Sequence, residues 1–210
     1  MTGAASPPRT LLIACGALAR EMLALIEANR WGHMTLECLP AKLHNRPEKI
    51  PDAVRDKITQ ARGRFEQIFV AYADCGTGGL LDKVLAEEGV ERIGGPHCYS
   101  FYAGAGAFEA LHEEELGSFY LTDYLTRHFD TLIIKGMGLD RFPELMEAYF
   151  GNYRRLVYLA QTEDPELVEK AKAAAARLGL DYEYRLAGYG ELTDFMSRAA
   201  GEQQGPNGNG

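Results

Sequence analysis

Nowhere in the 210 residues is there an uninterrupted apolar run of the roughly 18 to 20 residues that a bilayer crossing needs. The opening stretch MTGAASPPR also lacks the apolar core of a secretory signal, so we expect a cytoplasmic protein without a membrane partner. Positive charge is scarce: 22 Lys and Arg face 30 Asp and Glu, for a formal net charge of −8. No broad cationic surface can neutralise a phosphate backbone from that balance, and nucleic acid is not expected as a partner. Cysteine is limited to four residues with no CxxC pair, which excludes a zinc ribbon and a secreted disulfide framework and leaves reduced thiols as the expectation. The phosphate-loop order GxxxxGK[ST] is missing too, and Gly76-Thr77-Gly78-Gly79 does not match the GxGxxG spacing of dinucleotide sites.

What is present is an alternation of short apolar runs with helical patterns, the form taken by repeated βαβ units. We therefore expect an α/β fold, a mainly parallel sheet with helices on both faces in a Rossmann-like layering, either one domain or two lobes. The ends, residues 1–8 and 199–210, carry little to bury and are expected to be disordered around a single α/β domain spanning 9–198. Thr10 to Ala14 reads as a strand, with Leu18, Met22, Leu25 and Ile26 as the buried stripe of the helix after it. Strands are also expected near Thr35–Leu39, Gln67–Ala73, Glu91–Gly94, Arg155–Ala160 and Tyr182–Leu186. Gln67–Ala73 is the strongest candidate for a central strand. Helices are expected over Asp52–Ala61, Gly78–Glu88, Leu121–Lys135, Pro143–Phe150 and Pro165–Leu178, the last stopped by Gly179.

Ligands of open parallel sheets collect beyond the carboxyl ends of the strands, where loops meet helix N-termini. Cys15, Cys75 and Cys98 each fall at such an exit, whereas Cys38 lies inside a strand and is expected to face a core. Gly16 and Gly76 follow two of these thiols and allow the tight turn that brings a ligand close. A helix N-terminus lowers a thiol pKa, so both thiols are expected to be activated. With His97 beside Cys98 and His44 on a neighbouring loop, the set suits zinc or a [4Fe–4S] cluster with an exchangeable iron. The same residues admit a metal-free reading, Cys15 or Cys75 as nucleophile with Asp74, His97 or His44 as base or orienter.

Asp74 and Glu21 are the candidate acid/base or supporting carboxylates, although a helix cap for Asp74 and a solvated glutamate for Glu21 weigh against them. Tyr99, Phe101 and Tyr102 follow Cys98 and either wall a pocket, with Tyr102 against a cofactor, or belong to a core. Gly117 to Tyr124 combines hydroxyls, rings and a carboxylate where a helix is expected to begin, which suits an anion or ordinary capping by Ser118 or Thr122.

The ordered segments IACGALAREM, LPAKLHNRPEKIP, YADCGTGG, GPHCYSFYAG, GSFYLTDYLTRHF, IKGMGLDRFPEL and FGNYRRLVYL resemble the DUF1638 family over nearly the whole folded chain. The family name assigns no residue role. The resemblance implies a link to corrinoid-dependent methyl transfer, which suits thiolates that hold zinc or a cluster. The expected function is a metal- or cluster-binding enzyme acting on a small molecule, a transferase or lyase. Its ligands are Cys15, Cys75 and Cys98, with His97 or His44 as the fourth. A non-catalytic metal or cofactor carrier for a partner enzyme is the alternative, and a protein partner or a second copy remains open.

Overall fold

The computed structural model describes residues 6–202. The chain divides into two compact units: residues up to Cys98 together with those from Glu191 onward form the first, and Tyr99–Gly190 form the second. Each holds one sheet, and every strand pairing in both sheets is parallel. The α/β expectation is met.

In the first unit β1 (Thr10–Cys15) leads through a short turn to α1 (Ala19–Ala28), β2 (Met34–Leu39), α2 (Ile50–Ala61), β3 (Gln67–Ala71), α3 (Leu80–Glu88) and β4 (Glu91–Arg92). The strand order is β2-β1-β3-β4. All six residues of β1 are buried, as the unbroken TLLIAC run requires of a strand covered on both faces. Its register sets Ala14 beside Cys38 on one side and Ala71 on the other. Because β2 and β3 lie on opposite sides of β1, the chain reverses direction across the sheet between β1 and β3, and a crevice opens beyond their carboxyl ends.

The second unit contains most of α4 (Cys98–Ala103), then α5 (Ala105–Glu114), β5 (Ser118–Leu121), α6 (Asp123–Arg127), a π-helical stretch Asp130–Lys135, α7 (Leu145–Phe150), β6 (Arg155–Ala160), α8 (Pro165–Leu178) and β7 (Asp181–Leu186), with strand order β5-β6-β7. Here the expected helix from Leu121 to Lys135 is corrected. Ser118–Leu121 pairs with Arg155–Tyr158 as a strand, and the apolar spacing that follows serves two shorter pieces. Thr122 caps the first of them, its hydroxyl accepting from the Leu125 N–H at 3.3 Å. The aromatic segment after Cys98 is helical, with Tyr99 stacked on Tyr120 and Phe108 tilted against both.

The chain returns to the first unit as α9 (Glu191–Ala199), and the Glu202 carboxylate accepts from the Trp31 indole N–H at 2.8 Å. Of the ends expected to be disordered, residues 1–5 and 203–210 lie outside the described part. Among the described residues no helix is long and apolar enough to cross a membrane.

α8 is the most fully signalled helix. Asp164 accepts from the Glu166 N–H at 3.0 Å and the Leu167 N–H at 3.4 Å, Pro165 occupies the first turn, and Gly179 closes the helix at φ 71°. Asp164→Ala is expected to cost about 1 kcal/mol, the usual worth of such a cap, read as a lower urea midpoint at unchanged slope.

Candidate functional site

Three strand exits of the first unit converge. Beyond β1 the chain turns at Gly16, where a Cβ would stand 3.2 Å from the Leu39 carbonyl oxygen, a tight approach to the end of β2 that glycine relieves. Beyond β3 it turns at Gly76, at φ 83°, where a Cβ would lie 3.7 Å from the Pro47 ring, on the loop that carries His44. The backbone past β3 is tied to the exit of β4: the Asp74 N–H donates to the Gly95 carbonyl at 3.0 Å and the Cys75 N–H to the Pro96 carbonyl at 2.9 Å. Cys15, His44, Cys75, His97 and Cys98 thus leave neighbouring strand ends of one sheet.

Cys15 and His44 are in contact, with Sγ 3.7 Å from Nδ1. Nδ1 also lies 2.9 Å from the Ala41 carbonyl oxygen. A carbonyl only accepts, so Nδ1 carries the proton and, in the neutral ring, Nε2 holds a bare lone pair. That Nε2 is buried and has no hydrogen-bond partner among the described residues. The imidazole stacks on the ring of Tyr72, centroids 6.3 Å apart and planes 15° apart. Tyr72 is itself 1% exposed, and its hydroxyl, near the Cys15 sulfur, is buried without a hydrogen-bond partner among the described residues.

Cys15 and Cys75 are both buried. Burial pushes the Cys15 thiol up to about 11, against weaker lowering by the Ala17 N–H, which donates to Sγ at 3.4 Å, and by Tyr72. Cys75 is pushed up to about 12, again chiefly by burial, with Cys15 and Asp74 adding to it and Arg92 opposing. The expected activation of these thiols by helix N-termini is therefore corrected. α1 begins only at Ala19 and α3 at Leu80, and desolvation outweighs what those helix ends contribute. Tyr72 is raised by burial and by the neighbouring thiols. Cys38 is exposed on β2, an edge strand, and does not face a core.

Cys75 sits at φ 51°, left-handed backbone that a residue with a Cβ adopts at a cost of about 1–2 kcal/mol. Asp74 holds the turn. Its carboxylate accepts from the Thr77 hydroxyl at 2.7 Å and from the N–H groups of Gly79, Gly76 and Gly78 at 3.0, 3.2 and 3.3 Å. These bonds, led by Thr77, hold its pKa below the usual carboxylate value. Asp74 is thus placed as an organiser of the loop that presents Cys75. Glu21, read from the sequence as a crevice-lining carboxylate or a solvated or ion-paired side chain, is 3% exposed on α1 and so is not solvated.

His97 and Cys98 are half-buried, and Tyr102 is buried within the second unit. Among the described residues no three His, Cys, Asp or Glu side chains stand close enough together to hold a metal ion. What the structure brings together is the Cys15–His44 pair, roofed by Tyr72, with Cys75 coupled to it electrostatically. Sequence reasoning passed over Tyr72 as one more aromatic of a core strand. The available signal was a hydroxyl two residues before Asp74-Cys75 in an otherwise apolar run.

The arrangement defines an α/β protein with a buried thiol–imidazole cluster at the point where its sheet order reverses. The chain belongs to the family described as "Protein of unknown function (DUF1638)", whose model matches residues 38–196. That span contains His44, Tyr72, Asp74, Cys75, His97 and Cys98, while Cys15 precedes it. No curated protein and no solved structure matches the chain.

Two outcomes are expected. In metal-free protein at neutral pH iodoacetamide should modify Cys38 first, with Cys15 and Cys75 reacting only as the pH climbs towards about 11 and 12, read by peptide mass spectrometry. An unfolded chain releases these protons near the ordinary value of 9.0, so the stability tied to them is intact below that pH and falls as the folded pKa values are approached. Asp74→Ala should cost about 1–3 kcal/mol by leaving the turn's donors unpaired. Asp74→Asn, which keeps an acceptor, should cost less.

Proposed function

We propose that the first unit is the soft-metal centre of an enzyme acting on a small molecule, with Cys15, Cys75 and His44 as protein ligands and Cys98 or His97 completing the set. One observation carries this reading: the buried, unpartnered Nε2 of His44, whose ring is fixed by its Nδ1–H on a backbone carbonyl, beside the sulfur of Cys15. That is the support a metal-binding imidazole ordinarily has, its second nitrogen donating to a carbonyl so that the first presents its lone pair. The donors, thiols and a neutral imidazole, suit zinc or an iron–sulfur cluster.

A divalent cation would also supply what the site lacks. Two thiols buried together stay protonated at neutral pH, and a bound metal offsets that burial by stabilising the thiolates. Zinc thiolates serve transfer of a methyl or similar small group, and a transferase of that class is the reaction we assign. Asp74 sets the Cys75 turn, and the unpartnered Tyr72 hydroxyl would donate to a Cys15 thiolate. A metal-free cysteine nucleophile gains no support from thiols held this far above neutrality. Four free cysteines suit the reducing cytoplasm, where we place the protein.

Elemental analysis and an absorption spectrum of anaerobically purified full-length protein test the reading. Stoichiometric zinc, or a brown colour with matching iron and sulfide, is expected. Cys15→Ser, Cys75→Ser and His44→Ala should each lower metal affinity by at least about tenfold, and Tyr72→Phe by less, as supporting residues do. Protein that purifies and remains metal-free after incubation with zinc, or with iron and sulfide, would overturn it.

A further inference from the structure

The second unit carries a separate recess between α6 and α8, of about 200 Å³, lined by Thr126, Arg127, Phe129, Asp130, Lys170 and Arg177, with Ala173 and Ala174 beneath. Along α8 the lining positions 170, 173, 174 and 177 share one face, and the two alanines leave the room that larger side chains would fill. Phe129, 8% exposed, closes one side. In a chain of net charge −8, three cations and one carboxylate form this wall.

Those cations are weakly committed. Arg127 stands 3.5 Å from Asp123 and 3.9 Å from Asp164, both long for hydrogen bonds to a guanidinium with five donors. The Asp123 carboxylate already accepts from Tyr158 at 2.7 Å, the Gln161 N–H at 2.9 Å and Thr162 at 2.6 Å. Lys170 pairs with Glu166 and Arg177 with Asp130, on side chains about half or more exposed, and such surface pairs exchange at little cost. Thr126, on the lining of the recess, is 3% exposed, and its hydroxyl is buried without a hydrogen-bond partner among the described residues. A buried hydroxyl left this way destabilises the fold unless something meets it.

We propose that this recess binds a phosphate group, free or carried on a small molecule, with Arg127, Lys170 and Arg177 supplying charge and Thr126 a hydrogen bond. The volume falls below the roughly 300–1,000 Å³ of pockets that hold drug-sized ligands, which favours a compact anion. The site is independent of the cysteine cluster and of any metal there.

The test is isothermal titration of the full chain with inorganic phosphate and with pyrophosphate at ionic strength held constant by chloride, alongside amide chemical-shift mapping. Saturable binding is expected, with shifts confined to residues of α6, the π-helical stretch and α8. Lys170→Ala/Arg177→Ala should weaken it by about tenfold or more, since a hydrogen bond to a charged group is worth about 1.5–3 kcal/mol. Both side chains are about half exposed, so the fold should tolerate their loss. Thr126→Val should weaken binding while raising the thermal midpoint, because it removes the unpaired hydroxyl. Titrations indistinguishable from chloride, shifts elsewhere in the chain, or unchanged affinity in either variant would overturn the assignment.

Discussion

The burial of β1 is the constraint from which the site follows. A strand with all six residues covered must sit inside its sheet, and the order β2-β1-β3-β4 puts the chain's reversal at its side. Cys15 is the last residue of that strand, so its thiol is desolvated by the same packing that stabilises the sheet. The loops from β2 and β3 approach to the distances that Gly16 and Gly76 permit, bringing His44, Tyr72 and Cys75 along. No local sequence rule sets these neighbours. They are consequences of one strand being central.

Much of this was legible because the decisive signals are local. The run TLLIAC states its own burial, Asp164-Pro165 and Gly179 mark both ends of α8, and cysteine followed by glycine after an apolar run locates a strand exit. The signals failed where tertiary pairing competes with periodicity. Ser118–Leu121 is a strand because β6 lies beside it, although its residues continue into a helical spacing. The same limit hid the chemistry of the thiols. A helix start can be read from sequence, but whether its field or the surrounding desolvation wins depends on how many atoms cover the sulfur, and here coverage wins.

The two carboxylates singled out from the sequence illustrate the distinction between bearing chemistry and shaping it. Asp74 lies beside Cys75 and invites a catalytic reading, yet four donors of its own loop converge on its oxygens. A base needs a lone pair to offer and a pKa near the working pH, and this carboxylate has its acceptors occupied and its pKa lowered. Its contribution is to offset the left-handed backbone of Cys75. Holding a thiol at φ 51° is costly, and the turn keeps it there through bonds that do not involve the sulfur.

Burial sets the electrostatics of the cluster. Two protonated thiols and a tyrosine hydroxyl carry no charge, which is the form in which burial costs least. An anion there would meet thiols whose own ionisation is already opposed by burial, and a neutral apolar ligand would leave Nε2 of His44 without a partner. Under the proposed reading, a soft cation would be held by the His44 imidazole and the Cys15 and Cys75 sulfurs, and its charge would stabilise their thiolates against burial. The same packing that covers the sulfurs thus holds both thiols protonated near neutral pH, so any chemistry on them must first offset that burial.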